Sequence, residues 1–158
     1  MGRLFGVMLF TVLAASVFVS TAVGDPPTRQ PVVYPSEPFV LGDFCGFPVQ
    51  ATILQNSQTQ TVYQDGRQTV TGALKVRLTN TQNGKSIDSN ISGPVKFTPN
   101  ADGSFTAVFG GRSLIFPNDM NVMFISSGRV IMRVNRDMTF FSLLSVTGTT
   151  FDVCAALR

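Results

Sequence analysis

The chain has 158 residues, with 12 Lys+Arg, 9 Asp+Glu and no histidine. A net charge of +3 without a cluster of basic residues argues against nucleic-acid binding. The missing histidine excludes Ser-His and Cys-His catalysis and most zinc sites. Neither a phosphate-binding glycine loop nor the EF-hand spacing of acids occurs, so we expect no cofactor and no metal.

Residues 1–24 have the three-part pattern of a secretory signal peptide. A short basic start, Met1–Arg3, precedes the uncharged apolar core Leu4–Val19 and a small-residue segment that ends at Gly24. We predict cleavage between Gly24 and Asp25, secretion of the remaining chain, and no stable membrane span after cleavage. The alternative is an uncleaved membrane anchor, because the apolar stretch could cross a bilayer.

The next segment, residues 25–44, is rich in proline. Proline removes backbone donors and favours extended, unpaired chain. We predict a tether or a strap over the surface here. A single β domain, residues 45–158, is expected to follow, and it is long enough to build a hydrophobic core. The prolines of the segment are Pro26, Pro27, Pro31, Pro35 and Pro38.

From Phe47 onward, apolar and polar residues alternate with a period of two. In "GALKVRLTN", Leu74, Val76 and Leu78 alternate with polar residues, and "GRVIMRVNR" has the same pattern. Such alternation predicts strands with one buried face. Further strand candidates, rich in β-branched and aromatic residues, are "FPVQATIL", "GSFTAVFG" and "TFFSLLSVTG". No helix is expected after the signal peptide.

Short turn signals separate these strands, namely Asp65-Gly66, Asn83-Gly84 and Asp102-Gly103. Short links favour antiparallel neighbours, because a parallel pair needs a long crossover. The sequence therefore predicts an all-β antiparallel meander of about eight to ten strands. Such a meander can close as a small up-and-down β-barrel or fold over as a β-sandwich or jelly roll.

The two cysteines, Cys45 and Cys154, lie at opposite ends of the patterned region. In an exported protein they are expected to form a disulfide, the alternative being two buried thiols. Closing so long a loop would contribute about 4–5 kcal/mol in the chain-entropy model. The first and last strands of an up-and-down barrel pair with each other, and opposed residues on them could form this disulfide. We therefore predict the barrel, with the sandwich as the alternative.

A carboxylate pair is the remaining route to catalysis. Asp43 and Asp152 each precede a cysteine by two residues, and glycosidases need two acids about 5–10 Å apart. In the register of the predicted seam, Asp152 lies opposite Phe47 and Asp43 opposite Ala156. The two carboxylates are then about 13 Å apart. We expect no enzyme, and a histidine-independent hydrolase using Asp or Glu is the least favoured alternative.

Two patterns suggest binding. Lys75 with Arg77, and Arg129 with Arg133, should face outward, where they could form one face that binds anions if their strands are near one another. A solvated surface is their ordinary role. A set of phenylalanines and methionines could line a cavity for an apolar ligand or simply fill the interior. We expect a secreted, monomeric, non-catalytic protein that binds a macromolecule through its outer surface or, alternatively, carries a small apolar ligand as lipocalins do. The set is Phe105, Phe109, Phe116, Phe124, Phe140, Phe141, Met120, Met123, Met132 and Met138.

The run "NTQNGKSIDSNISGPVKFTPNADGSFTAVFGGRSLIF", with Ser127-Gly128 and Asp152-Val153-Cys154, resembles a group of small secreted, single-disulfide proteins, mostly from actinobacteria, that have no assigned activity. The resemblance covers about Cys45 to Cys154. It implies an exported, β-rich, disulfide-closed scaffold and no functional residue. The same run contains Asn90-Ile91-Ser92, which fits the N-glycosylation pattern for a host that glycosylates.

Overall fold

The computed structural model describes residues 25–158, so the predicted signal peptide lies outside the described residues. They contain eleven strands and one short helix, and the all-β antiparallel prediction is confirmed. The helix was not predicted. The elements are β1 Thr28–Pro31, β2 Phe39–Gly42, β3 Val49–Asn56, β4 Thr59–Val62, β5 Gln68–Thr71, β6 Leu74–Asn80, β7 Ser86–Asn90, β8 Val95–Pro99, β9 Phe105–Ile115, β10 Phe124–Val134, β11 Phe141–Asp152 and α1 Val153–Leu157.

The predicted local patterns are confirmed. In β6 and β10, buried apolar residues alternate with exposed basic ones. The three predicted turns link β4 to β5, β6 to β7 and β8 to β9. Their glycines, Gly66, Gly84 and Gly103, have φ angles of 79°, 75° and 82°. This backbone conformation is strained for any residue with a Cβ, so the glycines position the hairpins.

Strand pairing follows an up-and-down order that extends over two sheets. Sheet A has the order β1-β4-β5-β8-β9-β10-β11, and sheet B has the order β2-β3-β6-β7. The chain crosses between the sheets from β1 to β2, from β3 to β4, from β5 to β6 and from β7 to β8. The two strands joined by one crossing pair with the two strands joined by the next: β3 pairs with β6 and β4 with β5, and then β5 pairs with β8 and β6 with β7. The chain therefore has the connectivity of a meander, and it bends at each point where it changes from one sheet to the other.

One such bend brings the β3–β4 link beside the β5–β6 link. The Ser57 backbone N–H donates to the Ala73 carbonyl at 2.8 Å, and the Ala73 N–H donates to Ser57 Oγ at 3.2 Å. Gly72 has a φ of +123°, and a Cβ on it would lie 2.3 Å from the Ser57 carbonyl oxygen. Only glycine fits so close a backbone approach. Gly72 therefore permits the corner at which the β3–β4 and β5–β6 links pass between the two sheets.

The predicted closed barrel is wrong. Within residues 25–158, β11 pairs only with β10, while β1 pairs with β4 and β2 with β3. The two sheets pack in a sandwich-like arrangement around a core that includes Val49 and Leu78 of sheet B and Ile125 of sheet A. The barrel fails because the chain leaves strand geometry at the expected seam. Cys45 lies in the β2–β3 link and Cys154 in α1, so neither lies on a strand.

The predicted disulfide joins Cys45 to Cys154, which are 109 positions apart in sequence and whose Cα atoms are 5.1 Å apart. It connects the β2–β3 link of sheet B to the helix that follows β11 of sheet A. Beside it, Asn80 Nδ2 and Asn83 Nδ2 each donate to the Leu157 carbonyl at 3.0 Å. Helix docking and the disulfide thus close the seam that strand pairing was expected to close.

Three glycines form a row across the neighbouring strands β9, β10 and β11. Gly128 is paired with Gly111 on one side and with Gly148 on the other. A Cβ on Gly128 would lie 2.1 Å from the Thr147 carbonyl oxygen. The backbones therefore approach each other too closely for any side chain at the middle of the row.

We expect Gly128→Ala to lower the free energy of unfolding by more than about 1 kcal/mol, because alanine forces the two strands apart. Urea unfolding of the folded domain measures the change. The matched control is Gly110→Ala on β9, where the nearest atom to a new Cβ, on Pro94, is 3.6 Å away. Equal losses in the two variants would show that close packing does not explain the glycine at position 128.

Candidate functional site

A cavity of about 410 Å³ lies between the two sheets. Its lining includes residues of β2, β3 and β6 in sheet B and of β5, β8 and β9 in sheet A. Protein interiors are normally packed to crystal-like density. Ligand pockets commonly have volumes of about 300–1,000 Å³. The cavity is therefore the candidate binding site.

The walls of the cavity are mainly apolar. No Lys, Arg, Asp or Glu is among the described residues that line it. Three polar side chains contribute to the lining: Tyr34, Gln58 and Ser113. Such walls suit an uncharged molecule, because a buried charge would find no partner here. The apolar lining residues with the largest side chains are Phe39, Phe97, Phe109, Phe116, Leu41, Leu74, Leu78, Leu114, Ile53 and Ile91.

One side of the cavity carries a tyrosine–glutamine pair. The Tyr34 hydroxyl donates to Gln58 Oε1 at 2.8 Å, and Gln58 is only 7% exposed. Partial burial raises the pKa of Tyr34, which favours the protonated phenol that this hydrogen bond requires. The Gln58 backbone N–H donates to Asn56 Oδ1 at 3.0 Å, and the Gln58 carbonyl accepts from the Val32 N–H at 3.0 Å. Gln58 is therefore held by both its backbone and its side chain.

The proline-rich segment, residues 25–44, contributes to this site. It contains β1 and β2, and the link between them crosses the cavity with Val32 and Tyr34 in its lining. Asn56 Nδ2 donates to the Val32 carbonyl at 2.6 Å and fixes that link. Sequence reasoning missed Val32 and Tyr34. An alternation of cavity-lining and exposed side chains could have indicated them, because Val33, which lies between them, is 87% exposed.

The six predicted phenylalanines lie in three different places. Phe109 and Phe116 line the cavity. A second core cluster, around Val130 and Met132 on the rest of sheet A, takes up three of the others. The remaining one, Phe140, is 44% exposed. The three in the second cluster are Phe105, Phe124 and Phe141.

The four predicted methionines do not line the cavity. Met123 and Met132 are buried in the two core clusters, and Met138 packs against the second of them. Met120 is 42% exposed and lies beside a different hollow. The adaptable lining that methionine would provide is therefore absent from the part of the site that the structure describes.

That second hollow, of about 580 Å³, lies beside β10 and β11. Its lining mixes the 120–124 segment and Val146 with the charged residues Asp152 and Arg158. Charged, solvent-exposed side chains at its border make this hollow less suited to an apolar molecule than the cavity between the sheets.

The four predicted basic residues do not share one face. Lys75 and Arg77 lie on β6 of sheet B, and the other two, Arg129 and Arg133, lie on β10 of sheet A. Arg77 forms an ion pair with Asp88 at 2.7 Å and lowers the pKa of that carboxyl. Arg133 pairs with Asp102. Arg77 and Arg133 therefore lie in solvated ion pairs, and the four residues, divided between two sheets, do not form one joint anion-binding face.

The predicted register of Asp43 and Asp152 is wrong. Asp152 pairs with Phe124 across β10 and β11, and its carboxylate accepts from the Ala155 N–H at 2.9 Å as the N-cap of α1. Asp43 is exposed in the β2–β3 link, outside any strand. Among residues 25–158, no group of three or more His, Cys, Asp or Glu side chains could hold a metal ion.

Asn90, the first residue of the glycosylation pattern, is exposed at the end of β7. Its Oδ1 accepts from the Ser92 N–H at 3.0 Å. The position is therefore accessible from solvent in the folded domain.

Comparisons with protein-family models, with curated proteins and with solved structures give no match. Within the part of the chain that is described, no helix has the length and apolar composition needed to cross a membrane. The disulfide indicates an oxidising or non-cytoplasmic environment. Fold and site together define an all-β, disulfide-linked protein with an apolar cavity between its sheets.

Proposed function

We propose that this is an exported, non-catalytic binding protein that carries a small apolar ligand between its two sheets. The cavity of about 410 Å³ is the observation that supports this proposal. Burial of apolar ligand surface would drive binding, at about 25 cal/mol per Å². Of the two predicted binding modes, the cavity favours the ligand carrier over binding through the outer surface.

Export is supported by two independent features. The first 24 residues have the pattern of a signal peptide. The disulfide between Cys45 and Cys154 would persist in an extracellular compartment, whereas cytosolic thiols are kept reduced.

A non-catalytic role is supported by the chemistry of the chain. It contains no histidine, and both cysteines are in the disulfide. Asp152 caps a helix, and the carboxylates of Asp65, Asp88 and Asp102 lie in ion pairs with arginine. Hydrogen bonds donated to each of these three carboxylates lower its pKa, which keeps it ionised and makes it a poor general acid near neutral pH.

Native mass spectrometry of protein purified from its own host tests the proposal. We expect a complex whose mass exceeds that of the polypeptide and which releases an uncharged, apolar molecule. After the ligand is extracted, the protein should bind the neutral dye Nile red and enhance its fluorescence. The intact mass also shows whether the chain begins at Asp25.

Chemically unfolded protein is the control for dye binding to exposed apolar surface in general. A bare polypeptide from the host, together with no more dye fluorescence from the folded protein than from buffer, would refute the carrier function. Binding by the unfolded control alone would refute it equally.

A further inference from the structure

We propose, on the basis of the carrier function, that the cavity selects an uncharged ligand with one carbonyl or hydroxyl group, and that Gln58 Nε2 donates a hydrogen bond to that group. The ligand class is thus an apolar ketone, aldehyde, ester or alcohol. Hydrocarbons and anions of the same size are disfavoured.

The first argument is the placement of Gln58. Its side chain lines the cavity and is 7% exposed, and its Oε1 already accepts the Tyr34 hydroxyl at 2.8 Å. The amide nitrogen has two donors, and no hydrogen bond from it to any of residues 25–158 is present. Every fully buried side-chain nitrogen or oxygen of the described residues has a partner, so this nitrogen borders open space. Because Gln58 lines the cavity, we infer that this open space is the cavity.

The second argument is that the other polar lining groups have already used their donors. The Tyr34 hydroxyl hydrogen points to Gln58, and Ser113 Oγ donates to the Gly110 carbonyl at 3.3 Å. Among the side chains of the described lining residues, Gln58 Nε2 is therefore the donor that remains for a ligand. An acceptor on the ligand would satisfy it in a mainly apolar site, where an unmade hydrogen bond is costly.

The third argument concerns charge. No acidic or basic side chain is among the cavity-lining residues that the structure describes. A carboxylate ligand would lose its hydration without gaining an ionic partner, and one amide donor does not replace that hydration. The site should therefore discriminate strongly between a neutral polar ligand and its anionic counterpart.

Displacement of Nile red by four ligands of equal carbon number tests this selectivity: butylbenzene, butyrophenone, phenylbutanol and phenylbutyrate. On the unmodified protein at neutral pH, we expect butyrophenone and phenylbutanol to bind about a hundredfold more tightly than phenylbutyrate. This comparison needs no variant, so it remains decisive even if a substitution at position 58 prevents folding.

The double variant Tyr34→Phe/Gln58→Leu tests the assigned donor, because Gln58→Leu alone would free the Tyr34 hydroxyl hydrogen for the ligand. The variant should lower the affinity for butyrophenone about tenfold more than the affinity for butylbenzene, which has no acceptor. Tyr34→Phe is the matched control, because it removes the neighbouring hydroxyl and leaves Gln58 Nε2 in place. The ratio of the two affinities should stay near the unmodified value in that control.

The two proposals fail in different ways. Absence of binding by Nile red and by all four ligands would refute the carrier function itself. Binding of phenylbutyrate as tight as that of phenylbutanol would refute the selection for neutral ligands while leaving the carrier function intact. An affinity ratio that is the same in the folded double variant as in Tyr34→Phe would refute the role of Gln58.

Discussion

Replacement of both Cys45 and Cys154 by alanine is expected to lower the free energy of unfolding by about 4–5 kcal/mol. The disulfide closes a loop with a sequence separation of 109, and its removal frees the unfolded chain from that constraint. A domain of this size has a total stability of about 5–15 kcal/mol, so the double variant should be close to the threshold of folding. The seam has no strand ladder to replace the covalent link, which makes the loss difficult to compensate.

Urea unfolding of the oxidised protein, the reduced protein and the double-alanine variant measures this loss. The reduced wild type is the matched control, because it lacks the bond but keeps both side chains. Both non-bridged forms should unfold at a similar, much lower urea concentration than the oxidised protein. If they lost less than about 1 kcal/mol, the docking of α1 through Asn80 and Asn83 would be sufficient to hold the seam.

Much of the fold could be predicted from the sequence, because local chemistry determines it. The alternation of apolar and polar residues in β6 and β10 predicted which faces of these strands are buried. Turn glycines such as Gly66 predicted the hairpins. The disulfide followed from its two cysteines and the predicted export. These features depend on residues close together in sequence, or on the only possible pairing of two groups.

The closure of the sheet could not be predicted, because it depends on contacts between distant segments. Period-two alternation shows which face of a strand is buried, but it does not show whether two edges meet. The helix α1 has five residues, too few for a helical period to appear. The feature of the sequence that could have indicated this helix is Asp152, because aspartate is a preferred N-cap residue. Gly72 likewise marks a corner only when the close Ser57 carbonyl is known.

The candidate site was predicted only in outline. An interior ligand was one of the alternatives, and Phe109 and Phe116 of the predicted set line the cavity. Tyr34 and Gln58 were missed, since one lies in the proline-rich segment and the other at a corner between sheets. Their hydrogen bond joins positions 24 residues apart through tertiary structure, and no spacing rule in the sequence reports it.

Val76→Phe is expected to weaken ligand binding by about a hundredfold or more, because the added ring would occupy the cavity. Val76 lies in β6 between Ile53 and Ser89, is 3% exposed and lines the cavity. The extra apolar volume enters space that is otherwise unfilled, so the stability of the ligand-free protein should change by no more than about 1–3 kcal/mol. Butyrophenone displacement of Nile red and urea unfolding measure the two quantities.

Lys75→Phe supplies the matched control, since successive residues of a strand point to opposite faces and Lys75 is exposed. The same ring is then added to the outer face of β6, and butyrophenone affinity should stay within about twofold of the unmodified value. A folded Val76→Phe variant that binds as tightly as this control would place the ligand outside the cavity. The hollow beside Met120 and Arg158 would then be the site to test, because it is the larger of the two.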